Sequence, residues 1–193
     1  MILFGEPVEM YNLNVDNKKI LNDFKKFKYR KIPESIADFY GSISFNILDK
    51  LPSLKKQINL KVKDFIENVL EYETDFKITS SWTTKTLSNG KGHKHHHAHS
   101  FVSGVYYPFG NDEFKIKFHR KHFNKFWQFK IKNYNTINSR NWWLPIKDNT
   151  LLLFQSDLEH EININNSNIE RYSLAFNVLP KGEIGFNDSK IKL

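Results

Sequence analysis

The stretch GHKHHHAHSFVSGVYY, residues 92–107, holds five of the eight histidines in a chain of 193 residues. It runs straight into an apolar segment. An expression tag is one source of such a run, but this one is interior, interrupted by Lys94 and Ala98, and flanked by sequence of structured character. A metal site is the other. Read as a β-strand, the run points His95, His97 and His99 to one face and His96 to the other. Two imidazoles at i and i+2 can converge on one ion, and a third ligand must then come from elsewhere. His160, in LLLFQSDLEH (151–160), sits just past a strongly apolar strand, where a sheet end opens. His119 and His122, in FHRKHF, compete for that place but lie among Lys and Arg, which repel a dication. The plainer reading of the cluster is a polar loop with exposed imidazoles.

Composition limits the chemistry. Hydrophobic residues make up 39% and aromatics 15%, with 17 Phe. That is enough to build a core and excludes a disordered chain. The length suits a single domain spanning 1–193. There is no cysteine, so disulfides, thiolate metal sites and a Cys nucleophile are excluded, and a metal must be held by His, carboxylate or carbonyl groups. No apolar run approaches the ~20 residues of a membrane span. The opening MILFGEPVEMYNLN lacks the features of a signal peptide. The expectation is a soluble cytoplasmic protein. The net charge is +8, and Lys interleaved with aromatics over 114–132 would suit a nucleic acid or another acidic partner. Alternation in FKIKF fits outward lysines guarding a strand instead, and this is the preferred reading.

The chain divides by pattern. Apolar residues at Ile20, Leu21, Phe24 and Phe27 have helical spacing. So do Leu54, Ile58, Val62, Phe65, Ile66, Val69 and Leu70, with Ser53 as the expected N-cap. ILFGEPVEMYNL reads as an N-terminal strand interrupted by Gly5 and Pro7. After about residue 75 the segments FKITSSWTTKTLS, SFVSGVYYPF, FKIKF, FWQFKI, TLLLFQS, EININN and RYSLAFNVL read as short strands between turns. Helices first and strands afterwards predict a mainly β, α+β fold, a sandwich or jelly roll with helices on one face. Residues 1–75 would form the N-terminal strand and supporting helices, and 76–193 the core carrying the site.

One more residue bears on function. Arg171 opens RYSLAFN and shares a strand face with Ser173. A guanidinium beside a hydroxyl makes a clamp for a planar carboxylate. A surface salt bridge to Glu170 or Glu161 is the plainer reading of Arg171 alone.

The ordered set of motifs resembles the small, single-domain 2-oxoglutarate and Fe(II)-dependent oxygenases of phage and marine bacterial genomes. The likeness runs through ILFGEPVEMYNL, SSWTT (80–84), His95-His96-His97, SFVSGVYY (100–107), LLLFQSDLEH, RYSLAFN (171–177) and PKGEIG (180–185), and covers nearly the whole chain. The resemblance implies a double-stranded β-helix, the jelly roll, with Fe(II) held by His95, His97 and His160. It implies 2-oxoglutarate and O2 as co-substrates, with Arg171 gripping the far carboxylate, helped by Ser173 and the Tyr107 hydroxyl. The activity implied is hydroxylation of a further substrate with release of succinate and CO2.

The superfamily at large pairs two histidines with a carboxylate. Here His97 stands where the carboxylate would be. Asp157 or Glu159 beside His160 is an alternative ligand, a His97–His99 register is another, and His96 with Ala98 would leave a coordination position open. Two rival functions remain at this point: a non-enzymatic jelly-roll module with a structural metal, and a cupin-like three-His enzyme that does not use 2-oxoglutarate. Trp82, Trp142, Trp143 and Phe101 could line a pocket, but the sequence favours ordinary core positions for them.

Overall fold

The alternating segments form two antiparallel sheets. The computed structural model describes residues 5–33, 38–121 and 129–193. The strands are β1 (Val8–Asn12), β2 (Tyr29–Lys31), β3 (Phe39–Ser42), β4 (Asp75–Thr86), β5 (Val102–Tyr107), β6 (Asn111–His119), β7 (Asn141–Ile146), β8 (Thr150–Gln155), β9 (His160–Ile162) and β10 (Arg171–Lys181). A seven-stranded sheet has the order β1-β8-β5-β10-β4-β3-β2, and a three-stranded sheet the order β7-β6-β9. A short hairpin, Glu183–Ile184 with Ile191–Lys192, ends the chain. The result is the mainly β jelly roll expected from the sequence. The N-terminal segment supplies three strands of the large sheet as well as the helices.

Two helices cover one face of the large sheet. The first, α1 (Asn17–Lys25), is capped by Asp16, whose carboxylate accepts from the Lys19 amide at 3.0 Å. The second, α2 (Pro52–Asp64), starts at Pro52 with Leu51 at the capping position. Ser53 therefore lies inside the first turn and does not cap. A proline suits the first turn because its missing N–H would have no partner there. A π-helical turn, Phe65–Val69, extends α2 and buries both Phe65 and Ile66.

The large sheet has two apolar faces because its strands alternate. Val102 and Tyr106 on β5, Leu151 and Leu153 on β8, and Leu174, Phe176 and Val178 on β10 pack toward the helices, with Phe24, Ile58, Val62 and Phe65. Val105, Tyr107, Leu152 and Phe154 face the other way, against Phe114, Ile116 and Phe118 of β6 and Ile146 of β7. This second layer is the interior of the sandwich, and the polar residues of interest lie on its walls. Lys115 and Lys117 of FKIKF alternate with the buried Phe114, Ile116 and Phe118, so they point away from the core as expected, but β6 is paired on both sides and they guard no sheet edge.

Several sequence expectations change. Of the opening stretch, residues 2–4 lie outside the described residues, and the described strand is Val8–Asn12. Of EININN only Glu161 and Ile162 are in strand. In FWQFKI, residues 126–128 lie outside the described residues and 129–131 are not strand. Strands β2, β3 and β7 (NWWLPI) were not anticipated; Pro145 within β7 is tolerated since β7 is an edge strand. Trp142 and Trp143 are 38% and 41% exposed, not core. Among the described residues no helix is long and apolar enough to cross a membrane.

Gly104 marks the tightest approach in the large sheet. A Cβ there would overlap the Phe176 ring and lie 2.7 Å from Leu153 Cδ2. Gly104→Ala is therefore expected to lower stability by about 1–3 kcal/mol, the range for overpacking a filled core. Chemical denaturation measures this, and an unchanged midpoint would contradict the packing.

Candidate metal centre

The β4–β5 connection carries the histidine run, and it is fastened to the smaller sheet. The Asn89 amide donates to Asn165 O at 2.8 Å, and the Asn165 amide to Gly90 O at 3.0 Å. Further along, the His95 amide donates to His160 O at 3.0 Å and the His160 amide to His95 O at 2.8 Å. The His97 amide donates to Ser156 O at 2.9 Å. The run is thus not a regular strand: only His95 makes an isolated bridge, and the chain turns at Ala98–His99, where His99 has φ 56°. That turn breaks the alternation predicted for His95, His97 and His99. His99 and His96 are exposed.

His95, His97 and His160 come together, each offering one ring nitrogen, all within 4.8 Å of one another. The Nε2 atoms of His97 and His160 are 3.4 Å apart. Ligands ~2.1 Å from a shared ion stand about 3.0–3.4 Å apart when adjacent in octahedral or tetrahedral geometry, so this spacing fits. The Nδ1 atoms of His95 and His160 lie 2.9 and 3.0 Å from the carbonyls of His93 and Leu158. An N–H donated to each carbonyl sets the tautomer and leaves Nε2 as a lone pair, the usual outer-shell arrangement of a metal-binding imidazole.

The imidazoles are held neutral. Burial is the main cause in each case. It lowers His160 to about 3 and His97 to about 4, with the nearby His95 adding to both, and it lowers His95 as well. Aromatic rings surround the group. His97 lies parallel to His160, 8° between planes, and Trp82 stacks on His97 at 5.6 Å. Phe45 leans on Trp82 at 6.2 Å, and Phe154 meets His160 edge-on at 4.7 Å.

The inner face of β10 supplies the opposite wall. Strand alternation places Arg171, Ser173, Ala175 and Asn177 on it. Arg171 and Ser173 are buried, whereas Ala175 and Asn177 are half-buried. Exposure rises along this face from Arg171 toward Trp82, which pairs with Ala175, and this implies a trough closed at Arg171 and open beside Trp82. Ser173 Oγ is 2.6 Å from Thr84 Oγ1. Tyr107 is 2% exposed, and burial pushes its hydroxyl up to about 12, with the Arg171 charge opposing. Arg171 itself is 2% exposed. Its Nη1 and Nη2 donate to Asn163 Oδ1 (2.9 Å) and Asn163 O (2.8 Å), and its guanidinium lies 5.1 Å from the Phe114 ring centre. The buried Nε has no partner, and no carboxylate pairs with Arg171 among the described residues. The surface salt bridge to Glu170 or Glu161 is therefore absent: Glu170 accepts from the Tyr172 hydroxyl, and Glu161 takes Lys91 and Lys117.

The competing ligands lie elsewhere. His119 Nε2 is 3.2 Å from Glu161 Oε1, and His122 is outside the described residues. Asp157 pairs with Lys121 at 2.7 Å, and Glu159 with Lys94 at 2.8 Å. Phe101 packs on the helix-side core. Sequence reasoning missed Asn163, which was read only as one residue of the strand EININN. It also missed a polar chain from Asn177 through Ser103 and Ser156 to Ser100, with links of 3.1, 2.8 and 2.9 Å. The period-2 spacing of Arg171, Ser173 and Asn177 was the available signal for Asn177.

Residues 80–177 match the family model described as "Putative 2OG-Fe(II) oxygenase". The fold is similar to that of HygX from Streptomyces hygroscopicus, solved with nickel, 2-oxoglutarate and hygromycin B bound. The TM-score is 0.66 at 9% identity, covering 91% of this chain and 83% of that one. It is also similar to an oxidoreductase of the 2OG-Fe(II) oxygenase family from Burkholderia pseudomallei, with TM-score 0.61, 13% identity and coverage of 89% and 83%. A Pseudomonas putida prolyl-4-hydroxylase matches with TM-score 0.55, 11% identity and coverage of 92% and 94%. At these identities the likeness is one of fold, the double-stranded β-helix. No curated protein matches the sequence.

Asp157→Asn and Glu159→Gln are each expected to leave transition-metal affinity essentially unchanged in metal titrations. A loss well beyond the roughly ten- to hundredfold seen when only a site's support is removed would bring a carboxylate into the coordination set.

Proposed function

The chain belongs to the 2OG-Fe(II) oxygenase family, whose enzymes use Fe(II) and 2-oxoglutarate, and on that premise we propose that it oxidises a C–H bond of a further substrate at the three-histidine site. His95, His97 and His160 are the proposed iron ligands. Three neutral imidazoles leave the ion's full charge in place, which favours an anionic 2-oxo acid beside it. Held there, the iron would supply O2 activation, coupling breakdown of 2-oxoglutarate to succinate and CO2 with transfer of the second oxygen atom to the substrate.

The observation that carries this reading is the pairing of converging imidazoles with a buried, acid-free guanidinium. A structural metal site needs no such group nearby. An unpaired buried charge is costly, so Arg171 supports an anionic ligand at the closed end of the trough. Arg171 is held by Asn163, three positions beyond His160, which continues the pairing with β6 through its amide to Lys115 O at 3.2 Å. Ser173 and the neutral Tyr107 hydroxyl are the proposed helpers at that far carboxylate. The substrate enters at the open end, against Trp82 and Phe45, where aromatic surface keeps water from the reacting centre.

Anaerobic protein mixed with Fe(II) and 2-oxoglutarate is expected to develop the weak visible charge-transfer band of a chelated complex, and to release succinate in air. His160→Ala should abolish iron binding. Arg171→Ala should weaken 2-oxoglutarate by roughly ten- to hundredfold, as for a lost charge-assisted bond, and spare iron. Bound iron without the band, and without succinate, would defeat the reading.

A further inference from the structure

We propose that Asn163 is a positioning residue for the co-substrate: its neutral side chain aims the Arg171 guanidinium without cancelling its charge. This rests on the proposed role of Arg171. The guanidinium has two edges able to meet a carboxylate bidentately, one between the two Nη atoms and one including Nε. Asn163 occupies the first edge with its side-chain and main-chain oxygens, at 2.9 and 2.8 Å. The second edge is left, and its buried Nε has no partner among the described residues. The Phe114 ring flanks the guanidinium plane at 5.1 Å. The fork is therefore oriented by three uncharged contacts, and the Nε edge is left without a protein partner among the described residues.

The Asn163 side chain is itself fixed. Its Oδ1 also accepts from the Lys115 amide at 2.9 Å, and its Nδ2 donates to Glu113 O at 2.7 Å. These bonds set which end of the amide faces Arg171: the oxygen must point to the guanidinium because the nitrogen is taken by a carbonyl. An aspartate at this position would keep the acceptor but bring a negative charge onto the guanidinium. It would then compete with the very carboxylate that Arg171 is proposed to bind. The structure thus distinguishes a neutral clasp from a merely geometric one, and the distinction can be measured.

The test compares wild type, Arg171→Ala, Asn163→Ala and Asn163→Asp, each loaded anaerobically with Fe(II). The two probes are 2-oxoglutarate and 2-oxopentanoate, the same acid without its second carboxylate. Wild type should prefer 2-oxoglutarate strongly. Asn163→Ala should reduce that preference about tenfold through loss of a bond to a charged group. Asn163→Asp should reduce it at least as much, although it is the closer isostere. Iron affinity and the affinity for 2-oxopentanoate should stay near wild type in both. A purely structural role would weaken both acids alike, and that result overturns the proposal. So does an Asn163→Asp variant with unchanged preference for 2-oxoglutarate. If Arg171→Ala alters the preference while the Asn163 variants do not, the clasp fails and the Arg171 assignment stands. If Arg171→Ala itself leaves the preference intact, the assignment fails and the clasp with it.

Discussion

Two hydrogen bonds between the main chains of His95 and His160 hold the site together. They join the long β4–β5 connection to the first residue of β9, and so bring together side chains that chain order separates; His97 and His160 are 63 positions apart. Closing such a loop costs entropy that grows slowly with its length. The antiparallel frame meets that cost with its two apolar layers, and only then can the small bridge select the geometry. The bridge also controls chemistry. With the backbone fixed, the Nδ1 atoms of His95 and His160 fall against carbonyls, and their Nε2 lone pairs turn inward.

Charge is sorted around this frame. The chain carries +8 overall, yet the trough contains neutral imidazoles and a single guanidinium that no acid balances among the described residues. The nearby carboxylates are all engaged by lysines: Asp157 with Lys121, Glu159 with Lys94, and Glu161 with Lys91 and Lys117. For Glu161, burial alone would raise the carboxyl, but bonds from Lys117 and Lys91 outweigh it and bring it to about 2. Acids secured in this way stay out of the trough. Positive charge at one end and aromatic surface at the other give the two ends different chemistry, which suits the proposed binding of an anion at the first and a separate substrate at the second.

The helices were legible because Ile20 with Phe24, and Leu54 with Ile58 and Val62, recur at helical spacing whatever they pack against. Of the large sheet, β1, β4, β5, β8 and β10 were legible as alternating or apolar runs between turns, whereas the short strands β2 and β3 carry too few residues to show a period. Strand β7 was not legible, because its Pro145 signals a break and only its place at a sheet edge makes that harmless. Trp142 and Trp143 were misjudged as core because an aromatic pair reads the same in sequence whether its strand is central or at an edge. The extent of EININN was misread at its end, where hydrogen bonding to neighbours decides what counts as strand.

By itself the sequence determined the chemistry on offer: histidines without thiols, an arginine and a serine on one strand face, and apolar patterns sufficient for a jelly roll. These are properties of residue type and local spacing, and they survive without knowledge of neighbours. Tertiary structure alone decided which histidines meet, that Asp157 and Glu159 turn away to lysines, and that Asn163 clasps Arg171. Such contacts join segments far apart in the chain, and no periodicity encodes them. They follow from the register of β6 against β9 and of β10 against β4, which is set by the packing of the whole sandwich.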